Sequence, residues 1–232
     1  MSTVLTIANL AGGTTKTTTA HNLAVAFSEY GKKVLLIDLD AKGDLTFTLG
    51  AEAARFTIAD LLTMNASSDS AVISSQERFD FIPGSSHVNN VSDKEKFASL
   101  LTKFSEKYDV IILDTPSTPS AGLVMALEVA DSVLYPICLT TAAFRGAHRI
   151  HSLVGSHFTE MAFLKTDGFR NSRLEKEIAQ TFDLLDCEIS SSEEIRESTN
   201  TILSVLSTSK NSVIASSYRE LAYSVLEKFS LI

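Results

Sequence analysis

Six short runs of this chain are apolar enough, mostly on both sides of an extended backbone, to be strands buried from above and below. They are Leu5-Thr6-Ile7, Val34-Leu35-Leu36-Ile37, Phe79-Asp80-Phe81-Ile82, Val110-Ile111-Ile112-Leu113, Val133-Leu134-Tyr135-Pro136-Ile137 and Met161-Ala162-Phe163-Leu164. Strands of this kind need helices on both sides, which is the situation of a mainly parallel sheet. Helical patterns do fall between them. Thr17 to Tyr30 carries apolar residues at 20, 23, 24 and 27 and stops at Gly31, where a left-handed glycine can close a helix. Ser92 to Tyr108 opens with Ser-Asp-Lys-Glu, a capping-box pattern, and lines up Phe97, Leu100, Leu101 and Phe104. Ser217 to Phe229 opens with a second Ser-x-x-Glu and has Leu221, Val225 and Leu226 as its inner stripe. The expected fold is α/β, a doubly wound, mainly parallel sheet with helices on both faces. The 232 residues suit a single domain over 1–232, with no repeat or linker. The serine-rich stretches near 66–75, 190–192 and 204–212 read as loops or helix caps.

Between the first strand and the first helix lies Ala11-Gly12-Gly13-Thr14-Thr15-Lys16-Thr17-Thr18. A helix start offers unpaired amides and the positive end of the helix dipole, and glycines let a phosphate approach the backbone. A lysine there adds a point charge, and the following hydroxyl can ligate Mg²⁺. The pattern G-x-x-x-x-G-K-[ST] is not met, because Leu10 and Thr15 stand at its glycine positions. Two further segments strengthen the case. Leu35-Leu36-Ile37-Asp38-Leu39-Asp40-Ala41-Lys42-Gly43-Asp44-Leu45-Thr46 puts two carboxylates at the end of a buried strand, followed by a glycine turn. Tyr108-Asp109-Val110-Ile111-Ile112-Leu113-Asp114-Thr115-Pro116 ends another apolar strand on an aspartate. In open parallel sheets, ligands sit beyond the carboxyl ends of the strands.

Together these segments resemble the ParA/MinD family of deviant-Walker P-loop ATPases, whose motifs run K-G-G-x-G-K-T-T, D-x-D-P-Q-G-N and D-T-P or D-x-P. The resemblance extends through Ala130-Asp131-Ser132-Val133-Leu134-Tyr135-Pro136-Ile137 and Tyr218-Arg219-Glu220-Leu221-Ala222. It implies ATP and Mg²⁺ as cofactors and a nucleotide site at Gly12, Gly13, Thr14, Thr15, Lys16, Thr17 and Thr18. By the same resemblance Lys16 binds phosphate, Thr17 ligates Mg²⁺ and Asp114 holds the metal's outer shell. Asp38 positions the attacking water, and Asp40 is a nearby residue of the second motif with a possible metal role.

The chain departs from the family at defined points. The signature lysine, which crosses to the partner's phosphates in the ATP-bound dimer, is Ala11; the motif's last glycine is Thr15; and Ala-Lys-Gly-Asp replaces Pro-Gln-Gly-Asn. A subgroup that distributes carboxysomes, the McdA-like proteins, also lacks that lysine and resembles this chain in this respect. Another cation is then expected to take its place. No acidic residue occurs from Ser132 to Thr159, where Arg145, His148, Arg149 and His151 fall. Arg145 is the first candidate, Lys165 the second and Arg149 the third, with Lys42 or magnesium alone as the fallback. The two histidines read as surface or core residues.

The resemblance implies a slow, partner-stimulated ATPase that forms a homodimer with ATP. It would position or partition a plasmid, chromosome or protein organelle over nucleoid DNA, with a ParB-like or McdB-like stimulating protein. The formal charge of −8 argues against a chain whose whole surface grips nucleic acid. Where many relatives have a basic segment, this chain has Ser190-Ser191-Ser192-Glu193-Glu194. Arg145, Arg149, Arg170, Arg173, Lys176, Arg196 and Arg219 remain as a stripe for weak, nonspecific DNA binding. A MinD-like membrane-surface regulator would need a basic amphipathic C-terminal helix, whereas Glu227-Lys228-Phe229-Ser230-Leu231-Ile232 stops a turn past the last packing helix. A degenerate nucleotide-binding scaffold is the other alternative. A nitrogenase-reductase-like protein would need paired cluster cysteines; Cys138 and Cys187 are isolated and read as reduced thiols. No signal-peptide pattern or membrane-length apolar run occurs, so a cytoplasmic, nucleoid-associated protein without a membrane partner is expected.

Overall fold

The doubly apolar runs lie in the middle of one sheet. The computed structural model describes every residue except 1, 65, 92, 154–158 and 169. Its strands are β1 (Thr3–Ile7), β2 (Val34–Asp38), β3 (Ile73–Ser74), β4 (Asp80–Ile82), β5 (Val110–Asp114), β6 (Ser132–Cys138), β7 (Thr159–Thr166) and β8 (Asp183–Ser190). They are ordered β3-β4-β2-β5-β1-β6-β7-β8. Only the β3–β4 pair is antiparallel; all other neighbours are parallel. The helices are α1 (Lys16–Glu29), α2 (Asp44–Thr48), α3 (Ile58–Thr63), α4 (Lys94–Phe104), α5 (Ala121–Val129), α6 (Thr141–Leu153), α7 (Ser172–Thr181), α8 (Glu193–Ser198), α9 (Val205–Thr208) and α10 (Val213–Lys228).

Alternation along each strand sorts its residues between two apolar layers. Leu5, Ile7, Val34, Leu36, Val110 and Ile112 pack with α1 and α10 on one side. Leu35, Ile37, Ile111 and Leu113 pack with α3, α4 and α5 on the other. Further along that second side, Val133, Tyr135 and Ile137 meet α6 and α7. The doubly wound architecture is therefore as expected. α1 closes at Gly31, which takes φ +77° and donates its amide to the Ser28 carbonyl at 3.0 Å.

Several details differ from the sequence reading. α10 starts at Val213 rather than Ser217, because Ser212 is the cap and its hydroxyl accepts the Ala215 amide at 3.1 Å. α4 is capped by Asp93, which accepts the Lys96 amide at 2.9 Å; Ser92 lies outside the described residues. β3 and β8 are additional strands; β3 lies within the serine-rich stretch 66–75 and α9 within 204–212, both read as loops or helix caps. In β8, Leu185, Cys187 and Ile189 are buried and Leu184 is half-buried, while Asp183, Asp186 and Glu188 face out. Charges on an exposed edge strand discourage pairing with another chain. Among the described residues no helix is long and apolar enough to cross a membrane.

Candidate functional site

The three strands that end in the singled-out motifs are neighbours in the centre of the sheet and run the same way. Register places Ile7 opposite Asp114 and Asp114 opposite Asp38. The loop after β1, the second-motif turn after β2 and the turn after β5 therefore leave one edge together. Cross-ties fix them: the Leu39 amide donates to the Asp114 carbonyl at 3.0 Å, and the Thr115 hydroxyl donates to the Ile7 carbonyl at 2.7 Å.

The loop from β1 to α1 is held from below and from the side. Asn9 is fully buried; its amide donates to the Pro136 and Ala143 carbonyls, and its Oδ1 accepts the Ala11 amide at 2.9 Å. Gly146 on α6 lies so close that an added Cβ would come within 2.3 Å of Asn9 Oδ1 and 2.7 Å of the Ala11 nitrogen. α6 thus packs directly on the loop because residue 146 has no side chain. Two loop residues take left-handed conformations, Gly13 at φ +73° and Thr15 at φ +64°. Thr15 stands at the cap of α1 yet makes no side-chain capping bond, and its hydroxyl is buried without a partner. The first amides of α1 are therefore left for an external acceptor, the arrangement that binds phosphate.

Charge is concentrated beside this loop. Lys16 is 7% exposed; burial lowers its pKa, Lys42 adds to that, and the carboxylates of Asp114 and Asp40 oppose it. Asp114 is completely buried, and neither carboxylate oxygen has a well-formed hydrogen bond. Its pKa is driven far above the usual carboxylate range, first by burial and then by the Asp38 charge; the Thr17 hydroxyl and Lys16 pull it back only in part. Asp38, also fully buried, is pushed up to about 6 by burial despite three donors. Those donors are the Asp40 amide on Oδ1 at 2.9 Å, and the Thr46 amide and hydroxyl on Oδ2 at 3.0 and 2.6 Å. Asp40 is partly exposed and accepts the Lys42 amide, closing the turn. A phosphate cradle, a buried lysine and two buried carboxylates, one held by three donors and one short of partners, are thus brought to one sheet edge.

A family described as an AAA domain matches residues 2–162 of this chain. The sporulation initiation inhibitor protein Soj of Bacillus subtilis is 32% identical over 167 residues, 66% of this chain and 65% of Soj. The chain spans less than two thirds of the length of the curated relatives it matches first. The septum site-determining protein MinD of Pyrococcus horikoshii, solved with Mg-ADP, superposes with a TM-score of 0.86 at 24% identity, covering 99% of this chain and 98% of that one. Apo McdA of Cyanothece gives 0.82 at 23% identity, covering 97% and 100%. The chain belongs to the ParA/MinD family. These superpositions also establish the P-loop fold for the whole of the described chain.

The fold brings Lys16, Thr17, Asp38 and Asp114, the residues expected to form the site, to one edge of the sheet. The named substitutes for the missing lysine are not equivalent. Arg145 and Arg149 lie on the exposed face of α6 and make no ion pair among the described residues. Lys165 is 6% exposed, donates to the Ser190 carbonyl at 3.1 Å, and has its pKa lowered by burial, an effect that Cys138 opposes. Lys42 sits on the second-motif turn. His151 is engaged with Glu160 at 2.6 Å, on which the Tyr135 hydroxyl also sits. Cys138 and Cys187 are free thiols. The basic stripe is largely neutralised: Arg170 pairs with Glu175 and Glu188, Arg173 with Glu177, Arg196 with Glu193 and Arg219 with Glu29. Sequence reasoning did not single out Asn9, Gly84 or Gly146, and it quoted Thr46 as the last residue of the second segment without a role. Asn9, Gly84 and Gly146 act through contacts with segments far away in the chain, whereas Thr46 joins Asp38 of its own segment to the distant Gly84.

Proposed function

We propose that the chain binds ATP with Mg²⁺ at this edge, dimerises with ATP, hydrolyses it slowly and uses the cycle to position or partition an intracellular cargo. The observation that carries the reading is Asp114, a fully buried carboxylate without a well-formed hydrogen bond, beside Lys16, Thr17 and the free amides of α1. A buried charge left in that condition is costly unless a cation or its water shell completes it. Among the described residues no group of three or more His, Cys, Asp or Glu side chains could hold a metal alone. That fits Mg²⁺ arriving on a triphosphate and keeping its waters, with Thr17 as ligand, Asp114 in the outer shell and Asp40 close by. Gly12 to Thr18 would enclose the phosphates, Lys16 would neutralise them, and Asp38 would orient the attacking water.

Positioning is supported by the likeness to Soj and McdA, and the cargo class is a plasmid, chromosome or protein organelle. A ParB-like or McdB-like protein would stimulate hydrolysis, and nucleoid DNA would serve as the matrix. With four of the seven stripe residues paired to carboxylates, DNA binding rests on Arg145, Arg149 and Lys176. It should be weak, ATP-dependent and steeply reduced by salt. Lys16→Ala should abolish ATP binding by calorimetry, and Asp38→Ala should bind ATP but not turn it over. Equal ATP affinity in Lys16→Ala and the parent would overturn the site. Arg145→Ala should bind ATP as a monomer but lose the ATP-dependent dimer in solution-mass measurements. Arg149→Ala and Lys165→Ala are the comparisons, and dimerisation of all three variants would refute a substitute cation at these positions. A second reading, a scaffold that holds nucleotide poorly, is favoured by the left-handed Thr15 in place of glycine. Absence of ATP binding by the parent would select it.

A further inference from the structure

The Asp38 carboxylate is held unequally at its two oxygens. Oδ2 accepts both the amide and the hydroxyl of Thr46, while Oδ1 has a single protein donor, the Asp40 amide. Thr46 is 5% exposed on α2, the short helix that follows the left-handed Gly43. Its hydroxyl is used in both directions, because it also accepts the Gly84 amide at 2.8 Å. A hydroxyl that accepts one hydrogen bond donates the next more strongly. Gly84 in turn has no room for a side chain: an added Cβ would lie 2.8 Å from the Asp38 carbonyl oxygen and 2.9 Å from its carboxyl carbon. The loop after β4 is thereby pressed against Asp38, and it is tied to α3 through the Ile58 amide on the Pro83 carbonyl at 2.9 Å.

We propose that Thr46 is the positioning residue for Asp38: it locks Oδ2 and leaves Oδ1 as the oxygen that orients water. This rests on the reading that Asp38 orients the attacking water. Thr46 itself touches no reacting atom; it transmits the positions of α2 and the Gly84 loop to the carboxylate. A movement of either element would rotate the carboxyl group, so anything that shifts α2 controls hydrolysis without touching the phosphate loop.

The test uses the full chain with Thr46→Val, which keeps the shape and removes the donor, and Thr46→Ser, which restores it. Thr46→Val should keep ATP affinity within about twofold and lower phosphate release by about tenfold or more, as expected when a reacting group is misplaced. Thr46→Ser should return release to within about threefold of the parent. The Gly84 amide should exchange its hydrogen about tenfold faster in Thr46→Val and recover in Thr46→Ser, a readout independent of turnover. Parental release in Thr46→Val, a parallel fall of affinity and release, or failure of serine to rescue would each overturn the proposal. Asp38→Asn separates the two claims. If it turns over like the parent, the reading of Asp38 fails; if it is inactive while Thr46→Val is fully active, only the role of Thr46 fails.

Discussion

Two buried carboxylate groups flank α1, and the chain treats them in opposite ways. One helical turn beyond Thr17, His21 donates through Nε2 to Glu77 at 2.7 Å. A carboxylate can only accept, so that nitrogen carries the proton. Glu77 also accepts the Ser204 amide at 3.0 and 3.1 Å and the Ser204 hydroxyl at 2.6 Å. Burial pushes its pKa up, but the His21 hydrogen bond and charge, with the Ser204 and Ser207 hydroxyls, outweigh that and bring it below the ordinary value. One turn back, at the start of the same helix, Asp114 has no well-formed bond and is held far above the ordinary range. Both are carboxylates at 7% exposure or less. The difference is donors: Glu77 joins α1, the β3–β4 turn and α9 into one body, whereas Asp114 is left short of partners where a ligand is expected.

The largest effect should come from disturbing the satisfied group. Glu77→Ala strands His21 and Ser204 in the interior and should cost about 3–5 kcal/mol in urea unfolding. A loss below about 1 kcal/mol would mean the network is not structural. Because the folded pKa of Glu77 is depressed, its contribution is present above the unfolded value and is lost as pH falls through the folded one. Glu77→Gln should therefore flatten the acid limb of the stability curve below about pH 4.

The unsatisfied group should respond in the opposite sense. Asp114→Asn removes the cost of keeping an ionisable carboxyl group buried beside Asp38, and should stabilise the nucleotide-free protein by about 1–3 kcal/mol at neutral pH. The folded pKa of Asp114 is raised, so its favourable contribution is complete below the unfolded value and is lost as pH rises through the folded one. The advantage of asparagine should thus shrink towards about pH 4 and grow above it. Asp38, held at about 6, adds a fall in parental stability between about pH 4 and 6. Melting curves across pH would decide; equal stability of parent and variant at pH 7 would remove the contrast. The smallest effect belongs to Thr15→Gly. Relief of a left-handed, β-branched residue is worth about 1–2 kcal/mol, less about 0.5–1 for glycine entropy. A rise in melting temperature should follow, and a fall would show that the threonine makes an interaction outweighing its backbone cost.

The central sheet was legible because Val34–Ile37 and Val110–Leu113 are apolar at every position, and that pattern has few solutions. β8 was not, since Asp186 and Glu188 break the apolar run and an edge strand needs only one buried face. The Ser217-x-x-Glu220 pattern misplaced the start of α10 because local capping chemistry cannot see that Ile214 and Ala215 are already buried against the core. In the site, Lys16, Asp38 and Asp114 could be read from motifs that are contiguous in sequence. Gly84 and Gly146 could not, because their roles arise only where separate segments meet, and Thr46 lay in the second segment without a role because nothing local shows which way α2 turns its hydroxyl.

The register that sets Asp38 opposite Asp114 also bears on how the chain finds its fold. Parallel strands meet late in a folding search, and several pairings of β2 with β5 would bury similar apolar surface. A slip of one residue would swing Asp114 off the face it shares with Asp38 and into the layer of Ile37, Leu39 and Met125. There it would have neither Lys16 nor Thr17 beside it, a penalty of roughly several kcal/mol that no neighbouring side chain would relieve. The same two aspartates would therefore act as alignment marks, disfavouring misread pairings before the sheet closes.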